Sequence, residues 1–474
     1  MLFPTTDFAI FFCVVFLGHW LLQPTPTRWK IFMVAASYVF YGWWDWHYVW
    51  LLAASSAIAQ VGAVAVYRTN GARARRLVLA LALVADLGLL LYYKYYDFFV
   101  SNVLNGLHIA GIDVSLPLLK LVFPVGISFY TFMGISYIVD VYRRELVPAK
   151  TLDLFVYLSF FPHLVAGPIV RGEELIPQIR TRRDPRRVDV GRAAHLILGG
   201  LFKKVVISSF VASAIVTPVF NDPGRHSALE ILFAIYGFAV QIYADFSGYT
   251  DIAIGVALLL GFKFPQNFDR PYTARSLQDF WRRWHMTLSR WLRDYVYIPL
   301  GGNRRGTVRT YVNIVLAMLL GGLWHGAGWT FLAWGGIHGV GQAVGRWRRE
   351  QRVRRGLPAQ ADDARSRVWQ CVVTFHIVCL GWVFFRADTF STAITMLTRV
   401  FTAWGSFPLV TPLVVLAIAV GIGLQFLPRG AGERVVAGFT HLRPALQGVA
   451  VGVVLFVITA MGPQGVAPFI YYQF

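Results

Sequence analysis

The sequence predicts an all-α, polytopic integral membrane protein of about eleven transmembrane helices plus re-entrant segments. Three observations carry that reading. Hydrophobic residues fill 56% of the 474 positions and charged residues only 14%, with mean hydropathy +0.54; an average soluble domain is about 25% charged. Apolar runs of about twenty residues, long enough to cross a bilayer as helices, recur along the chain. The formal net charge of +20 is gathered into blocks between those runs. Arg68, Arg73, Arg75 and Arg76 form one block and Arg143, Arg144 and Lys150 another; seven arginines fall within 171–192 and eight within 346–367. Such blocks beside apolar spans mark cytoplasmic loops, with anionic lipid as their partner. They are dispersed and no recognition motif accompanies them, which speaks against nucleic acid.

In chain order, spans are expected at 5–23, 31–44, 48–67 and 77–97. A loop at 98–118 without Lys or Arg follows, then a span at 119–141. That loop and the amino terminus are expected outside. Phe8 to Leu22 has no basic flank and no small-residue cleavage site, so it reads as a retained helix. Leu152 to Val170 is apolar but holds Pro162, His163, Gly167 and Pro168 between two basic clusters, the pattern of a re-entrant hairpin. Segment 194–219 crosses outward, and 228–262 is one long apolar stretch with a break expected near Gly248. Residues 263–309 are too polar to span. Apolar arms at 309–324 and 327–345 flank His325, and spans near 368–386, 408–428 and 445–463 leave the carboxyl end outside. An interfacial amphipathic helix is expected at 387–403. With no internal repeat, 1–474 reads as one membrane domain.

Chemistry-bearing residues stand out against this background. In LLGGLWHG (319–326), His325 sits where an uncharged run meets a glycine-rich turn. An imidazole at membrane depth either lines a wet cavity or has a partner, so it is a functional candidate, with a core histidine bonded to a carbonyl as the alternative. The segment QDFWRRWHMTLSRWLRDYVYI (278–298) surrounds His285 with tryptophans and arginines. A surface helix explains Trp and Arg there but not the histidine. On a helix, His285 and Ser289 would share a face, with Trp281 on the preceding turn. Asp245 and Asp251 interrupt an apolar stretch and are candidates for proton handling, or for pairing with Arg282 or Arg290. His338 in WGGIHG fits a helix-packing histidine as well as a site residue, and His163 a structural role. Cys13, Cys371 and Cys379 lie in apolar runs without ligand spacing, so neither disulfide nor metal chemistry is expected.

Several long motifs then occur in order: FPVGISFYTFMGISYIVDVYRRE (123–145), FFPHLVAGPIVRGEELIPQI (160–179), YADFSGYTDIAIG (243–255), NFDRPYTARSLQDFWRRWHMTLSRWLRDYVYIPLGG (267–302) and GGLWHGAGWTFLAWGGIHG (321–339). Together with the tail FIYYQF (469–474), they resemble the membrane-bound O-acyltransferase family, in its bacterial branch typified by an alginate O-acetyltransferase membrane subunit. The resemblance implies helices around a central tunnel, with His325 catalytic and His285 its companion. It implies acetyl-coenzyme A as cytoplasmic donor and no bound cofactor. It further implies a bacterial inner-membrane location and an extracytoplasmic polysaccharide such as alginate as acceptor. An SGNH-type acetyltransferase and the polysaccharide export machinery are the partners it suggests. Asp245, Ser289, Trp324, His338, Arg304 and Arg305 are the substrate-binding candidates, the two arginines for the donor's phosphates. An acyl-enzyme on Ser289 or a cysteine is the rival route. D-alanyl transfer to a cell-wall polymer, a proton-coupled transporter and a scaffold are the rival functions.

Overall fold

The computed structural model describes residues 1–121, 124–428, 430–462 and 469–470. Phe123 of the first motif and 471–474 of the tail lie outside the described residues. Every regular element among the described residues is helical. Seven helices are long and apolar enough to cross a membrane, or eight if the bent pair Pro412–Phe426 and Ala431–Thr440 is one span. The expected eleven also drew on shorter or more polar helices, of which Thr6–Leu22 is the most apolar example. The helices group into two compact units, Met1–Val190 with Val256–Pro265, and Gly191–Gly255 with Gln266–Phe474.

The first unit contains α1 (Thr6–Leu22), α2 (Pro26–Gly42), α3 (Val49–Arg68), α4 (Ala72–Leu90), α5 (Tyr96–Ile109), α6 (Ile127–Arg143), α7 (Thr151–Ser159) and α8 (Gly172–Arg180). α4 runs into α5 through a π-helical turn at Leu91–Tyr95, so Ala72–Ile109 is one helix of 38 residues. The loop expected at 98–118 is therefore helical over its first half. No proline or charge run interrupts 77–109 to stop it. Between α7 and α8 the chain makes a single turn at Phe161–Leu164 and then runs irregularly, with all of 160–170 buried. Its backbone is tied down by side chains: Tyr157 Oη donates to the Val170 carbonyl at 3.0 Å, and His163 Nε2 to the Tyr157 carbonyl at 2.9 Å. Irregular backbone buried in protein is what the re-entrant reading requires. Asp153 at the start of α7 is buried and takes Lys30 from α2 and Arg180 from α8.

The second unit begins at Gly191, within α9 (Val190–Leu201), which continues through π-helical turns at Phe202–Ser208 and Ala212–Val216 to Asn221. α10 (Ala228–Leu259) follows as an unbroken helix of 32 residues. The break expected at Gly248 does not occur. A Cβ on Gly248 would lie 2.8 Å from the Gly200 carbonyl oxygen, and one on Gly200 2.6 Å from that of Gly248. These glycines bring two backbones together instead of interrupting one. The segment 278–298 is divided, against the single helix expected. α11 (Leu277–Trp281) and α12 (Met286–Leu292) are separated by 282–285, and His285 at the junction has φ +40°.

α13 (Thr307–His325) and α14 (Trp329–Arg354) form a tight antiparallel pair, and α15 (Ala364–Arg386) packs beside it. α16 (Phe390–Thr402) is an amphipathic helix within the 387–403 segment. α17 (Pro412–Gly423), α18 (Ala431–Thr440) and α19 (Pro444–Met461) complete the unit. Apolar side chains on the outside, such as Val449 at 62% and Phe456 at 74% exposure, face lipid rather than water in this architecture. The α13–α14 contact depends on small residues: a Cβ on Gly322 would meet the Phe331 carbonyl oxygen at 2.3 Å, and one on Gly335 that of Met318 at 2.5 Å. Neither obstacle can move, because both are backbone. Gly335→Val should therefore lower stability by roughly 1–3 kcal/mol through overpacking, read as a lower melting temperature of the detergent-purified protein, while Gly345→Ala, which meets no neighbour, should change it little.

Candidate active site

His325 is the last residue of α13, where Gly326 turns the chain back toward α14. Its ring is 2% exposed and enclosed by aromatic side chains: Trp324 and Trp334 at 4.9 Å and Phe385 at 5.2 Å between ring centroids. His285 comes from the α11–α12 break. Its left-handed backbone costs about 1–2 kcal/mol for a non-glycine residue, so its surroundings must hold it there. Asn267 does so. The Asn267 carbonyl accepts from Met286 N–H at 2.9 Å, and its Oδ1 accepts from Thr287 N–H at 3.1 Å and Thr287 Oγ1 at 2.9 Å.

The two histidine rings lie 6.5 Å apart, too far for a direct hydrogen bond but close enough to flank one reacting group. Trp324 contacts both, 5.8 Å from His285, and Phe246 meets His285 edge-on at 4.6 Å. Complete burial lowers the His285 pKa to about 3, so this imidazole is neutral at any physiological pH.

A cavity of about 570 Å³ is lined in part by Trp281, Met286 and Met318 but by neither histidine; Met286 follows His285 in the chain, and the ring of Trp281 meets that of Trp334, which in turn meets His325. Arg282, Arg290, Arg293, Arg346 and Arg349 also line it, and no acidic residue does among the described residues. Burial first, then Arg282 and Arg346, hold the Arg349 guanidinium below its usual range. A bound anion would relieve that crowding. Arg304 and Arg305, the arginines expected to meet an anionic donor, are exposed and outside the lining. Ser289 lines the cavity, but its hydroxyl donates to the Trp284 carbonyl at 3.3 Å instead of facing a base. Arg346 and Arg349 extend the site into a cluster that the sequence presents as a membrane-surface block.

The acidic candidates have partners that sequence reasoning missed. Asp245 pairs with Lys204 and Asp251 with Lys203, not with Arg282 or Arg290. Gly200 brings α9 against α10, and the two consecutive lysines diverge to reach carboxylates on different sides. Asp245 is fully engaged: Oδ1 takes Lys204, and Oδ2 accepts from Ile470 N–H at 2.8 Å. It thereby anchors residue 470, while Phe469 packs on Tyr249 at 4.6 Å. A lysine pair within an apolar run was the signal available at 203–204. His338 is buried, its Nδ1 accepting from Trp281 Nε1 at 3.2 Å, so it braces a wall of the cavity.

Residues 136–386 match the model of the membrane-bound O-acyltransferase family. The chain belongs to that family. It is 38% identical over 408 residues to the probable alginate O-acetylase of Azotobacter vinelandii, covering 85% of this chain and 78% of that one. It is 36% identical over 435 residues to the peptidoglycan O-acetyltransferase of Helicobacter pylori, covering 84% and 79%. A teichoic acid D-alanyltransferase of Streptococcus thermophilus is 29% identical over 290 residues, or 55% and 68% of the two chains. The protein is thus a multi-pass membrane acyltransferase, and the transporter and scaffold readings fall away.

Removing one member of a buried ion pair strands the other, at a cost of about 3–5 kcal/mol. Asp245→Asn, which strands Lys204 at 1% exposure, should show most of that loss in thermal unfolding of the purified protein. Asp251→Asn should cost less, because Lys203 is 21% exposed and can reach water.

Proposed function

We propose that this enzyme takes an acetyl group from acetyl-coenzyme A on the cytoplasmic side and delivers it for O-acetylation of an extracytoplasmic polysaccharide. The observation that carries the proposal is the pair of buried histidines 6.5 Å apart, in the unit that also holds the arginine-lined cavity. The phosphates of the donor would sit among Arg282, Arg290, Arg346 and Arg349, with its thioester between His285 and His325. An acceptor hydroxyl attacks the thioester carbonyl carbon while His325 takes the hydroxyl proton. The tetrahedral oxyanion collapses, the carbon–sulfur bond breaks, and the proton on His325 passes to the departing thiolate. Ester and free coenzyme A thiol are the products. His285 orients the reacting groups, and the aromatic enclosure strengthens each polar contact by excluding water.

Basic blocks on the cytoplasmic side of a bacterial inner membrane, with both termini outside, fit this direction of transfer. The relatives named as alginate or peptidoglycan O-acetylating enzymes align over 84–85% of this chain. The D-alanyltransferase aligns over 55%. That difference favours acetyl over D-alanyl, and a hydroxyl of a secreted polymer as the acceptor, presented at the outer face by an SGNH-type partner and the export machinery.

Purified protein in nanodiscs, given labelled acetyl-coenzyme A and an alginate oligosaccharide, should release coenzyme A thiol. His325→Ala should lower that rate by roughly a thousandfold, within the range of a positioned acid–base group. Undiminished release by His325→Ala would overturn the assignment. Arg346→Ala should raise KM for acetyl-coenzyme A several-fold with little change in kcat, and added salt should narrow the difference from wild type.

A further inference from the structure

A companion to the catalytic base can do one of two things. It can donate a hydrogen bond to the thioester oxygen, or accept one from the acceptor; a neutral imidazole with one nitrogen committed can do only one of them. At His285 the commitment is visible. Its Nδ1 lies 3.2 Å from Asn267 Oδ1. That oxygen's identity is fixed by Thr287 N–H, a backbone donor that must face an acceptor. An amide oxygen cannot donate, so Nδ1 carries the ring proton. Nε2 is then the lone-pair nitrogen, and it has no hydrogen-bond partner among the described residues although His285 is wholly buried. Asn267 is itself wholly buried, and its main chain and side chain bind three consecutive residues, 285–287, across the strained φ of +40°. The clamp fixes the position of the ring and its tautomer together.

We infer that Asn267 is a positioning residue that holds His285 as the Nδ1–H tautomer, so that Nε2 accepts a hydrogen bond from a hydroxyl of the acceptor and does not polarise the thioester carbonyl. The inference rests on the proposed acyl transfer for its chemistry but not for the tautomer. His325 remains the base for the hydroxyl that is acylated, and His285 holds the acceptor through a neighbouring hydroxyl, of which a polysaccharide residue has several. Oxyanion support must then come from elsewhere in the enclosure.

Two measurements test it. In nitrogen-15 spectra of histidine-labelled protein in nanodiscs at neutral pH, with the His285 signals assigned by their loss in His285→Asn, Nε2 should be pyridine-type and Nδ1 pyrrole-type. A pyrrole-type Nε2 overturns the inference. This readout needs no donor, so failure of the protein to use acetyl-coenzyme A would count against the proposed function alone. In the thiol-release assay, Asn267→Ala should lower kcat by roughly a hundredfold with KM for acetyl-coenzyme A within twofold of wild type. Asn267→Asp, whose carboxylate also accepts from Nδ1–H, should recover most of the loss. Wild-type kcat in a monodisperse Asn267→Ala protein, or Asn267→Asp as impaired as Asn267→Ala, overturns it.

Discussion

A polar group enclosed by apolar side chains and lipid has no water to bind, so its partner must come from the chain itself. Much of the functional half of this protein is arranged around that constraint. Lys204 and Asp245 are buried together, and neither would tolerate its position alone. In the first unit, buried Asp153 likewise takes Lys30 and Arg180, both of which keep some exposure. At smaller scale, Trp281 donates to His338, and His285 to Asn267. Each pairing joins segments distant in sequence and leaves them little freedom to shift. The result is a rigid frame in which a few polar atoms can be held for chemistry.

Rigidity at the histidine pair comes from two sources that act differently. His325 is placed by close packing: glycine contacts seat α14 on α13, and the rings of Trp334 and Phe385 close around the imidazole. His285 is placed by hydrogen bonds that hold a backbone conformation its own side chain disfavours. Packing sets position but leaves an imidazole's tautomer open, whereas a hydrogen bond to a known acceptor decides it. Around both, aromatic walls exclude water, and the arginines remain at the cavity beyond. The arginine-lined cavity and the aromatic enclosure of the histidines thus offer opposite solvation within one unit.

The features legible in the sequence were those set by local chemistry. Apolar runs, basic blocks and glycine-rich turns follow from composition over a few residues, and they located the helical membrane class and both histidines, 285 and 325. The extent of individual helices was less legible. α4 and α5 join because nothing between them stops a helix, and α10 stays whole because Gly248 serves a neighbour. A glycine looks the same in sequence whether it ends a helix or lets another approach.

The tertiary structure alone decided the partners. Lys203 and Lys204 meet Asp251 and Asp245 across more than forty residues of chain. The cavity takes Arg346 and Arg349 from a cluster that in sequence is a lipid-facing loop, and leaves out Arg304 and Arg305. Asn267, at the edge of a recognised motif, becomes the residue that orients His285. The sequence determined which groups cannot remain alone in an apolar medium, because desolvation depends on the group itself. Which group answers it depends on distances of a few ångströms between remote segments, and those exist only once the helices have packed.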